Sequence, residues 1–548
     1  MKKNQYLKYA LNPVQEFIEP ARTTSDMWAG SYILSYLMAS IIVKLNEFIK
    51  DADLKFIYPF VDFNSNGILN LIKNNIKNED ASYSIPNLPN AFLIHYNGES
   101  NLVNIAEKLD EYLLAKLEEF AFKISEKIKN SSDIKVVKFH ESRFLIQAKS
   151  ILKSHWYVLD ASLENEEEDI KRIEELFAAS KNTRTFHSWA GATGWSYGVD
   201  FKKDHLNGKE EVVLQASQDE NQKFFKQNEE LGPTTLIKRM FECAYLKSKY
   251  GEDFFNPRKD KCLNADNSSY YAIFALDGDG MGELLSGKKK LNGEKSNREK
   301  ISKELLKFSN STREIVERDH GGFLVYSGGD DVLAIIPKEK VIKCILALRK
   351  KFEKCLPGQT MSAGVAIAHS KMPLQHIVKE ARNAEKRAKN YLGKNAIAIS
   401  LIKRSGEILH TGFRLIENGL NIYDLILSNT SEKLLSNGLS YKILRALDVY
   451  QNKAINSKSD EEFEKIKADI FIFEFKRILD QDENLNISAV DDACKKERKK
   501  KLKEELIKEF ENFVRSKKKE MFYESIEGLF LFIAWVVGHI KKTNNNEQ

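Results

Sequence analysis

The sequence predicts an α+β fold built around a ferredoxin-like βαββαβ unit and completed by a mainly helical C-terminal region. Three observations lead to this prediction. The chain has 548 residues, which is enough for three or four domains. Between residues 269 and 405, segments of strand length alternate with segments of helical periodicity in the order βαββαβ, with one further strand. From residue 406 to residue 548, helical periodicity dominates.

The elements of the βαββαβ unit can be justified in chain order. YYAIFALD (270–277) is an apolar, aromatic-rich run typical of a strand, and a helix of about 298–318 follows a polar insertion rich in Lys and Gly. FLVYS and DVLAIIP flank a Gly-Gly pair and predict a tight hairpin. The remaining predicted elements are a helix (338–355), a strand (361–369), a helix (374–393) and a strand (395–402).

The residues before this unit divide into two regions. The first contains strand-like segments at 6–11, 57–60 and 91–96 among long helical patterns, and helical periodicity also covers 141–158. The second is more charged and contains one clear helix, which predicts a helical intervening domain. The predicted domains are therefore 1–175, 176–268, 269–405 and 406–548.

Composition indicates a globular protein, with 42% hydrophobic and 30% charged residues. The net charge of +6 is compatible with a nucleic-acid partner without requiring one. The five cysteines form no C-x-x-C pair, so neither a zinc ribbon nor a disulfide framework is expected. The N-terminus lacks a signal peptide, and the most apolar run (529–537) is too short to span a bilayer. We therefore expect a cytoplasmic protein with no membrane partner.

The motif GGDD lies at the predicted hairpin tip. Gly328 and Gly329 suit a two-residue turn because both can take positive φ, so a plain turn is one interpretation. Asp330 and Asp331 argue for more, because adjacent carboxylates repel each other unless a cation lies between them. Ser327, one residue before the turn, is a candidate contact to a base or to the metal shell.

A third carboxylate is expected beside this hairpin. In a βαββαβ sheet the first strand neighbours the central hairpin, which brings Asp277 at the strand end close to Asp330. Together with the carbonyl of Gly278, these carboxylates form an oxygen-only site suited to Mg²⁺ or Mn²⁺. Two such ions would activate an attacking hydroxyl and neutralise a leaving pyrophosphate. Asp331 ranks below Asp330, because adjacent side chains seldom point into one site.

The loop DGDGMG after the first strand is a candidate phosphate cradle. A calcium loop is the alternative, but its twelfth position would be Lys288 where a Glu is needed. Backbone N–H groups of a Gly-rich turn can approach a triphosphate closely. Lys394, just before the last strand, is either a ligand of the β- or γ-phosphate or an ordinary surface lysine. The cradle comprises Gly278, Asp279, Gly280, Met281 and Gly282.

These motifs resemble those of the large subunit of type III CRISPR effector complexes of the Cmr type, a subunit with polymerase/cyclase palm domains. The matching stretches occur in family order between residues 11 and 399. They are LNPVQEFIEPARTTSDMWAGSYILSYL (11–37), SIPNLPNAFL (84–93), LIKRMF (236–241), FALDGDGMGELLSG (274–287), YSGGDDVLAIIP (326–337) and ARNAEKRAKNYLGKNAIAI (381–399).

The resemblance implies two ferredoxin-like palm domains that face each other, with helical intervening and C-terminal domains. It implies ATP as substrate and cyclic oligoadenylate as product, made when the guide RNA pairs with target RNA within a complex of Cmr-type subunits. The family's metal ligands correspond to Asp277 and Asp330, with Asp331 as the fourth letter of GGDD. The first palm, which lacks an acidic pair, would hold the acceptor nucleotide.

The sequence departs from the family pattern in two places. No histidine is followed by Asp, and the first palm motif begins within fifteen residues of the start, so no DNase activity is expected. Before the LIKR helix, where relatives often carry a four-cysteine knuckle, this chain reads EELGPTT, so no structural zinc is expected.

Several alternatives stay open. Some relatives without the nuclease join AMP to S-adenosylmethionine, which would change only the acceptor pocket. A diguanylate cyclase shares the palm, but its motif reads GGDEF or GGEEF, whereas here Val332 follows GGDD. A scaffold with a degenerate palm is disfavoured because all three aspartates are retained. The Lys-rich run at 495–520 is either a solvated helix face or a surface for phosphates or an acidic partner subunit.

Overall fold

The computed structural model of the chain contains two α+β domains, a small region between them and a group of C-terminal helices. The structure describes residues 3–49, 54–63, 67–76, 81–162, 165–182, 202–219, 224–252, 254, 270–285, 298–415, 419–436, 438–451, 460–485, 493–515 and five positions between 526 and 534.

The N-terminal domain (3–182) has a four-stranded antiparallel sheet in the order β2-β3-β1-β5, which is the ferredoxin-like order that the fold class predicts. Residues 141–158 were predicted to be helical, but only their first half is, since β5 pairs along β1 and completes the sheet. The elements are β1 (Lys3–Asn12), α1 (Gln15–Ile18), α2 (Thr24–Phe48), β2 (Leu54–Tyr58), α3 (Gly67–Asn74), β3 (Ala91–Gly98), α4 (Leu102–Asn130), β4 (Val136–Phe139), α5 (Glu141–Ala148), β5 (Lys153–Asp160) and α6 (Glu166–Asn182).

Helix α2 is the central helix of this domain. It begins with a capping box, in which the Thr23 hydroxyl accepts from the Asp26 amide and the Asp26 carboxylate accepts from the Thr23 amide. By length and composition α2 passes for a membrane span, and it is the one helix among the described residues that does. Since 89% of its most apolar window is buried inside the protein, it is a core helix.

The intervening region (202–254) combines short strands with a helix. β6 (Leu214–Ala216) pairs with β4 on one side and with β7 (Glu230–Leu231) on the other, which makes a three-stranded sheet. α7 (Pro233–Met240) begins with a proline in its first turn, continues as a π-helical turn and ends in α8 (Lys247–Tyr250). The region is thus less purely helical than the sequence predicts, because its strands extend a sheet begun in the N-terminal domain.

The GGDD domain (270–414) has a six-stranded sheet in the order β13-β12-β11-β8-β10-β9, whose last four strands repeat the ferredoxin-like order. β13 pairs antiparallel with β12, so this sheet continues past residue 405. The elements are β8 (Tyr270–Gly278), α9 (Met281–Leu285), α10 (Arg298–Arg313), β9 (Phe323–Gly328), β10 (Asp331–Pro337), α11 (Val341–Cys355), β11 (Met361–His369), α12 (Leu374–Asn390), β12 (Ala396–Ile402) and β13 (Ile408–Arg414).

The two faces of this sheet pack against different partners. On β8, Ile273 and Ala275 belong to one core with α12 and the N-terminal domain, whereas Phe274 and Leu276 belong to a second core with α10, α11 and the C-terminal helices. The first face therefore looks toward the N-terminal domain. The C-terminal helices are α13 (Gly419–Ser431), α14 (Leu439–Gln451), α15 (Asp460–Asp480) and α16 (Ala493–Arg515).

Candidate active site

The GGDD hairpin is shaped by its glycines and by two tyrosines. Gly329 has a φ of +76°, a conformation that favours glycine. The Tyr326 hydroxyl lies over Gly328, so that any Cβ there would overlap it. Tyr58, from β2 of the N-terminal domain, approaches from the other side, with its hydroxyl 3.6 Å from the position of a Cβ on Gly329. The turn is therefore enclosed by side chains from both domains.

The three predicted carboxylates lie at this end of the sheet. Val332 pairs with Leu276, so the register places Asp331 opposite Asp277 at the next position. Asp330 lies in the turn and packs against Gly278, where a Cβ would lie 3.0 Å from both its Cβ and its Oδ2. The structure thus brings the ends of the first strand and the hairpin together as the sequence predicts.

Helix α12 supplies two cations to these carboxylates, and sequence reasoning missed both. Arg382 donates to both oxygens of Asp331, at 2.8 and 3.2 Å, and Lys389 donates to Asp277. Glu385 lies between them, 3.1 Å from Lys389 and 3.9 Å from Arg382. The spacing i, i+3, i+7 puts these three residues on one face of the helix. The segment ARNAEKRAKN shows this spacing in the sequence. Which face of α12 lies toward the carboxylates, however, depends on how the helix packs against the sheet.

Gly364 on β11 lets α12 approach the sheet closely. A Cβ at this position would overlap the helix backbone at Ala381 and Glu385. Only glycine fits between strand and helix here without moving one of them. This close packing brings the side chains of Arg382, Glu385 and Lys389 within reach of the carboxylates at the end of the sheet.

Burial shifts the pKa values of two groups in this network. Burial, reinforced by the negative charges of Asp331 and Glu385, raises the pKa of Asp330 to about 7. Burial and the nearby positive charge of Lys394 lower the pKa of Lys389 to about 8. Perturbed pKa values of this kind concentrate at functional sites.

The residues present fit a divalent metal in their chemistry. All the donors are hard oxygens, which Mg²⁺ and Mn²⁺ prefer. Within the described ranges, no three His, Cys, Asp or Glu side chains are already arranged around a common point where an ion could bind. Instead, the Lys389 ammonium pairs with Asp277 and the Arg382 guanidinium pairs with Asp331.

The Gly-rich loop after β8 is fixed to β11 through Asp279. This carboxylate is 4% exposed and accepts from the Thr360 and Ser362 hydroxyls, each at 2.7 Å, and from the Asn395 amide at 2.8 Å. Asp279 therefore ties the loop to the turn that contains Lys394, whose φ is +69°. The predicted phosphate contact of Asp279 stays a prediction, and its observed partners are all within the protein.

The remaining predicted cradle residues differ in their surroundings. Met281 begins α9 and packs against Gly278. Gly280 has a φ of +72°, and a Cβ on Gly282 would meet no atom of the described residues within 4 Å. The face of the loop at Gly282 is therefore open to an approaching group.

Ser327 points into the protein. Its hydroxyl contacts those of Ser309 and Thr312 at 3.1 and 2.8 Å, and its amide donates to the Pro86 carbonyl at 3.2 Å. The side chain is fully buried, and these contacts join the hairpin to α10 and to the N-terminal domain. The predicted base or metal contact of Ser327 remains a prediction, while its observed place is structural.

A cavity of about 460 Å³ lies elsewhere, between the N-terminal loop after β1, the loop around Lys209 and the start of α12. None of the predicted site residues lines it. His376 and Lys379 of α12 do, so one helix extends from this cavity to the carboxylates.

Comparison with known proteins assigns a class to both domains. Residues 270–398 match the family model described as Cas10/Cmr2, second palm domain, and residues 6–131 match that of CRISPR-associated protein Cmr2, N-terminal. The GGDD domain is therefore a palm of the Cas10/Cmr2 type. Both matched ranges, 6–131 and 270–398, are thus similar to domains of the Cmr2-type large subunit.

Two curated relatives show how far the similarity extends. Cmr subunit Cmr2 of Pyrococcus furiosus is 31% identical over 309 residues, which cover 50% of this chain and 34% of that protein. The deoxyribonuclease Cas10/Csm1 of Mycobacterium tuberculosis is 35% identical over 77 residues, covering 14% and 10%. The chain spans about a third of the first relative and a tenth of the second.

Solved structures share the fold over most of the chain. The apo type III-B Cmr-beta structure superposes with a TM-score of 0.61 at 14% identity, covering 98% of this chain and 82% of the matched chain. The Csm1–Csm4 cassette in complex with cA4 gives 0.50 at 12% identity, covering 98% and 70%. These similarities confirm the α+β fold class with two palm domains.

Proposed function

We propose that this chain is a nucleotidyltransferase that uses ATP and two divalent ions to make a cyclic oligoadenylate messenger. The observation that carries the proposal is the cluster of Asp277, Asp330 and Asp331, in which Lys389 pairs with Asp277 and Arg382 pairs with Asp331. Such a cluster is a poor design for stability alone, because charged groups at a partly exposed edge contribute little. It suits a site in which bound divalent ions take the place of the arginine and the lysine beside the carboxylates.

The protein groups divide the work as follows. Asp277, Asp330, Asp331 and the Gly278 carbonyl would hold the ions, which when bound lower the pKa of the attacking hydroxyl and neutralise the pyrophosphate. Arg382 and Lys389, once their carboxylates turn toward the ions, are free to pair with phosphate oxygens.

The nucleotide would lie between the hairpin and the Gly-rich loop. Backbone N–H groups around Gly280 and Gly282 are candidate donors, because neither residue has a side chain of its own that would keep a phosphate away. Lys394 is placed on the adjoining turn, held there by the hydrogen bond between the Asn395 amide and Asp279. A cA4 complex of a structural neighbour, the Csm1–Csm4 cassette, supports an adenylate ligand for this fold.

The proposed partners are other Cmr-type subunits, the guide RNA and the target RNA, in the cytoplasm. Support comes from a second structural neighbour, type III-B Cmr-beta bound to cognate target RNA, with a TM-score of 0.60 at 13% identity and covering 87% of this chain. In this assembly, synthesis would begin when target RNA binds.

The test is a product assay on the assembled complex with labelled ATP, Mg²⁺ or Mn²⁺ and matching target RNA, with and without S-adenosylmethionine. Oligoadenylates from ATP alone, lost in the Asp330→Ala/Asp331→Ala protein, are expected. A product that requires S-adenosylmethionine would instead assign the conjugating reaction. Absence of any metal-dependent product would leave a scaffold role.

A further inference from the structure

The N-terminal part of α16 is an unusually basic surface. Residues 495–503 read KKERKKKLK, with seven cations and one acid, and we call them the basic segment. Positions 493–498 are all exposed, which is more than a full helical turn. The helix therefore presents cations on every side at this end.

The rest of α16 anchors it to the protein. Leu502, Leu506 and Phe510 are buried, and the Phe510 ring stacks on Phe475 of α15 with centroids 3.9 Å apart. Arg515 pairs with Asp469 at 2.8 Å at the other end. The basic segment is thus a rigid extension of a packed helix.

Only some cations of the basic segment have partners among the described residues. Arg498 pairs with Glu432, Lys503 pairs with Asp480, and Lys501 pairs with Glu497 of the same helix. Lys495, Lys496 and Lys500 are exposed and form no ion pair within the described part of the chain. The segment therefore keeps an excess of unneutralised positive charge.

The lysines at the start of α16 are unfavourable for the stability of the helix. The N-terminus of a helix carries a partial positive charge, so acidic residues are favoured there and cations are destabilising. The first turn of α16 contains no acidic residue, although Asp491 and Asp492 come directly before it in the sequence. Lys495 and Lys496 add their charges to the positive end of the helix, and an anion bound there would interact favourably with both.

The chemistry of the segment favours a nucleic acid over an acidic protein. Protein interfaces are depleted in Lys and enriched in aromatic anchors. The segment has one apolar residue, Leu502, which faces the core, and no aromatic residue. Lysines are point charges that contact phosphates without reading bases.

We propose that the basic segment binds the phosphate backbone of single-stranded RNA, independently of sequence. The choice of RNA over other polyanions rests on the proposed function, which places the chain in an RNA-guided complex. The segment lies on a different domain from the GGDD site, so its RNA contact is separable from synthesis.

The test measures binding of the full chain to a fluorescent 30-nucleotide RNA of mixed sequence by anisotropy, without ATP or divalent metal. The variant is Lys495→Gln/Lys496→Gln/Lys500→Gln, and the matched control is Lys343→Gln/Lys350→Gln/Lys354→Gln on exposed positions of α11. Each phosphate contact contributes about 0.7 to the slope of log K against log salt. We expect the variant to lose about 2 from that slope and at least about tenfold in affinity, with the control unchanged.

Three results would overturn the proposal. One is a variant that binds RNA like the wild type, and another is a control that loses as much as the variant. The third is a variant that loses duplex DNA binding while keeping RNA binding. The Lys→Arg version of the same triple variant should retain binding, which separates lost charge from lost folding. Loss of synthesis in the Asp330→Ala protein with RNA binding intact tests the proposed function alone.

Discussion

The intervening region and the GGDD domain each carry a lysine and an arginine on one helix and use them differently. Lys238 of α7, in the intervening region, donates to the N-terminal-domain carbonyls of Phe17, Ile18 and Pro20, at 2.8, 3.1 and 2.6 Å. In the GGDD domain Lys389 donates to Asp277. Burial is the largest influence on each lysine and lowers its pKa to about 8.

The arginines repeat this contrast. Arg239 donates to both carboxylate oxygens of Asp26, at 2.6 and 2.8 Å, and the Asp26 side chain is 2% exposed. Arg382 binds both oxygens of Asp331, whose side chain is 31% exposed. The exposures therefore distinguish a buried ion pair on α7, which we call the clamp, from a partly exposed ion pair on α12, which is the replaceable contact of the proposed function.

The largest effect on synthesis is expected from removing one of the predicted metal-binding carboxylates. Asp277→Asn, and separately Asp330→Ala, should reduce metal-dependent product below detection, because the ions lose a ligand. Thermal unfolding should move by only a few degrees, and the complex should still assemble. If either variant formed product at a rate comparable to that of the wild type, the proposal that these carboxylates bind the ions would be wrong.

The next prediction compares the two arginines directly. Arg239→Ala leaves Asp26 buried without its partner and should lower the free energy of unfolding by about 3–5 kcal/mol. Arg382→Ala leaves a partly exposed Asp331 and should cost only about 1 kcal/mol or less, while synthesis falls. Urea unfolding and the product assay on both variants check this. Equal stability losses would remove the distinction between clamp and replaceable contact.

A smaller loss is expected at Gly364. Gly364→Ala places a methyl group against the backbone of α12 and should cost about 1–3 kcal/mol, with reduced synthesis as Arg382 and Lys389 shift. Gly438→Ala is the matched control, because a Cβ there meets no atom of the described residues within 4 Å. If Gly364→Ala left both the free energy of unfolding and the rate of synthesis unchanged, α12 would have room to move away from β11.

The smallest effect is a pH dependence at the clamp. Between about pH 8 and pH 10.5 the unfolded chain keeps a proton that folded Lys238 has lost, so this residue makes stability rise with pH. Lys238→Met should lack that rise. Urea midpoints of both proteins at pH 8, 9 and 10 measure the difference, which should widen in favour of the wild type. A constant difference would mean that Lys238 keeps its proton over this range.

Much of the fold and the centre of the site follow from sequence pattern. Strand–helix alternation was sufficient for the βαββαβ unit, and the position of Asp277 follows from that topology. The hairpin turn was predicted one residue too early, because Gly328 still pairs with Asp331 and the two turn residues are Gly329 and Asp330. β5 was missed because it is an edge strand with intermediate burial along most of its length, which leaves no clear alternation. Lys389 and Arg382 were missed because the face that α12 presents depends on Gly364, a tertiary contact.

Other residues were predictable as neighbours but not in their orientation. Ser327 and Asp279 flank the motifs, yet both side chains point into the protein, where hydroxyl and amide partners from distant segments hold them. Tyr58 lies more than 200 positions from the hairpin it covers, and no local pattern links the two.

The length of α12 has a mechanical consequence. Its seventeen residues form a rod of about 26 Å with no proline or glycine to bend it. One end lines the cavity between the domains, and the other holds Asp277 through Lys389. The residues that line the cavity and the cations that pair with the carboxylates therefore belong to one rigid element. A ligand that tilted α12 at the cavity would also move Arg382 and Lys389 relative to Asp331 and Asp277.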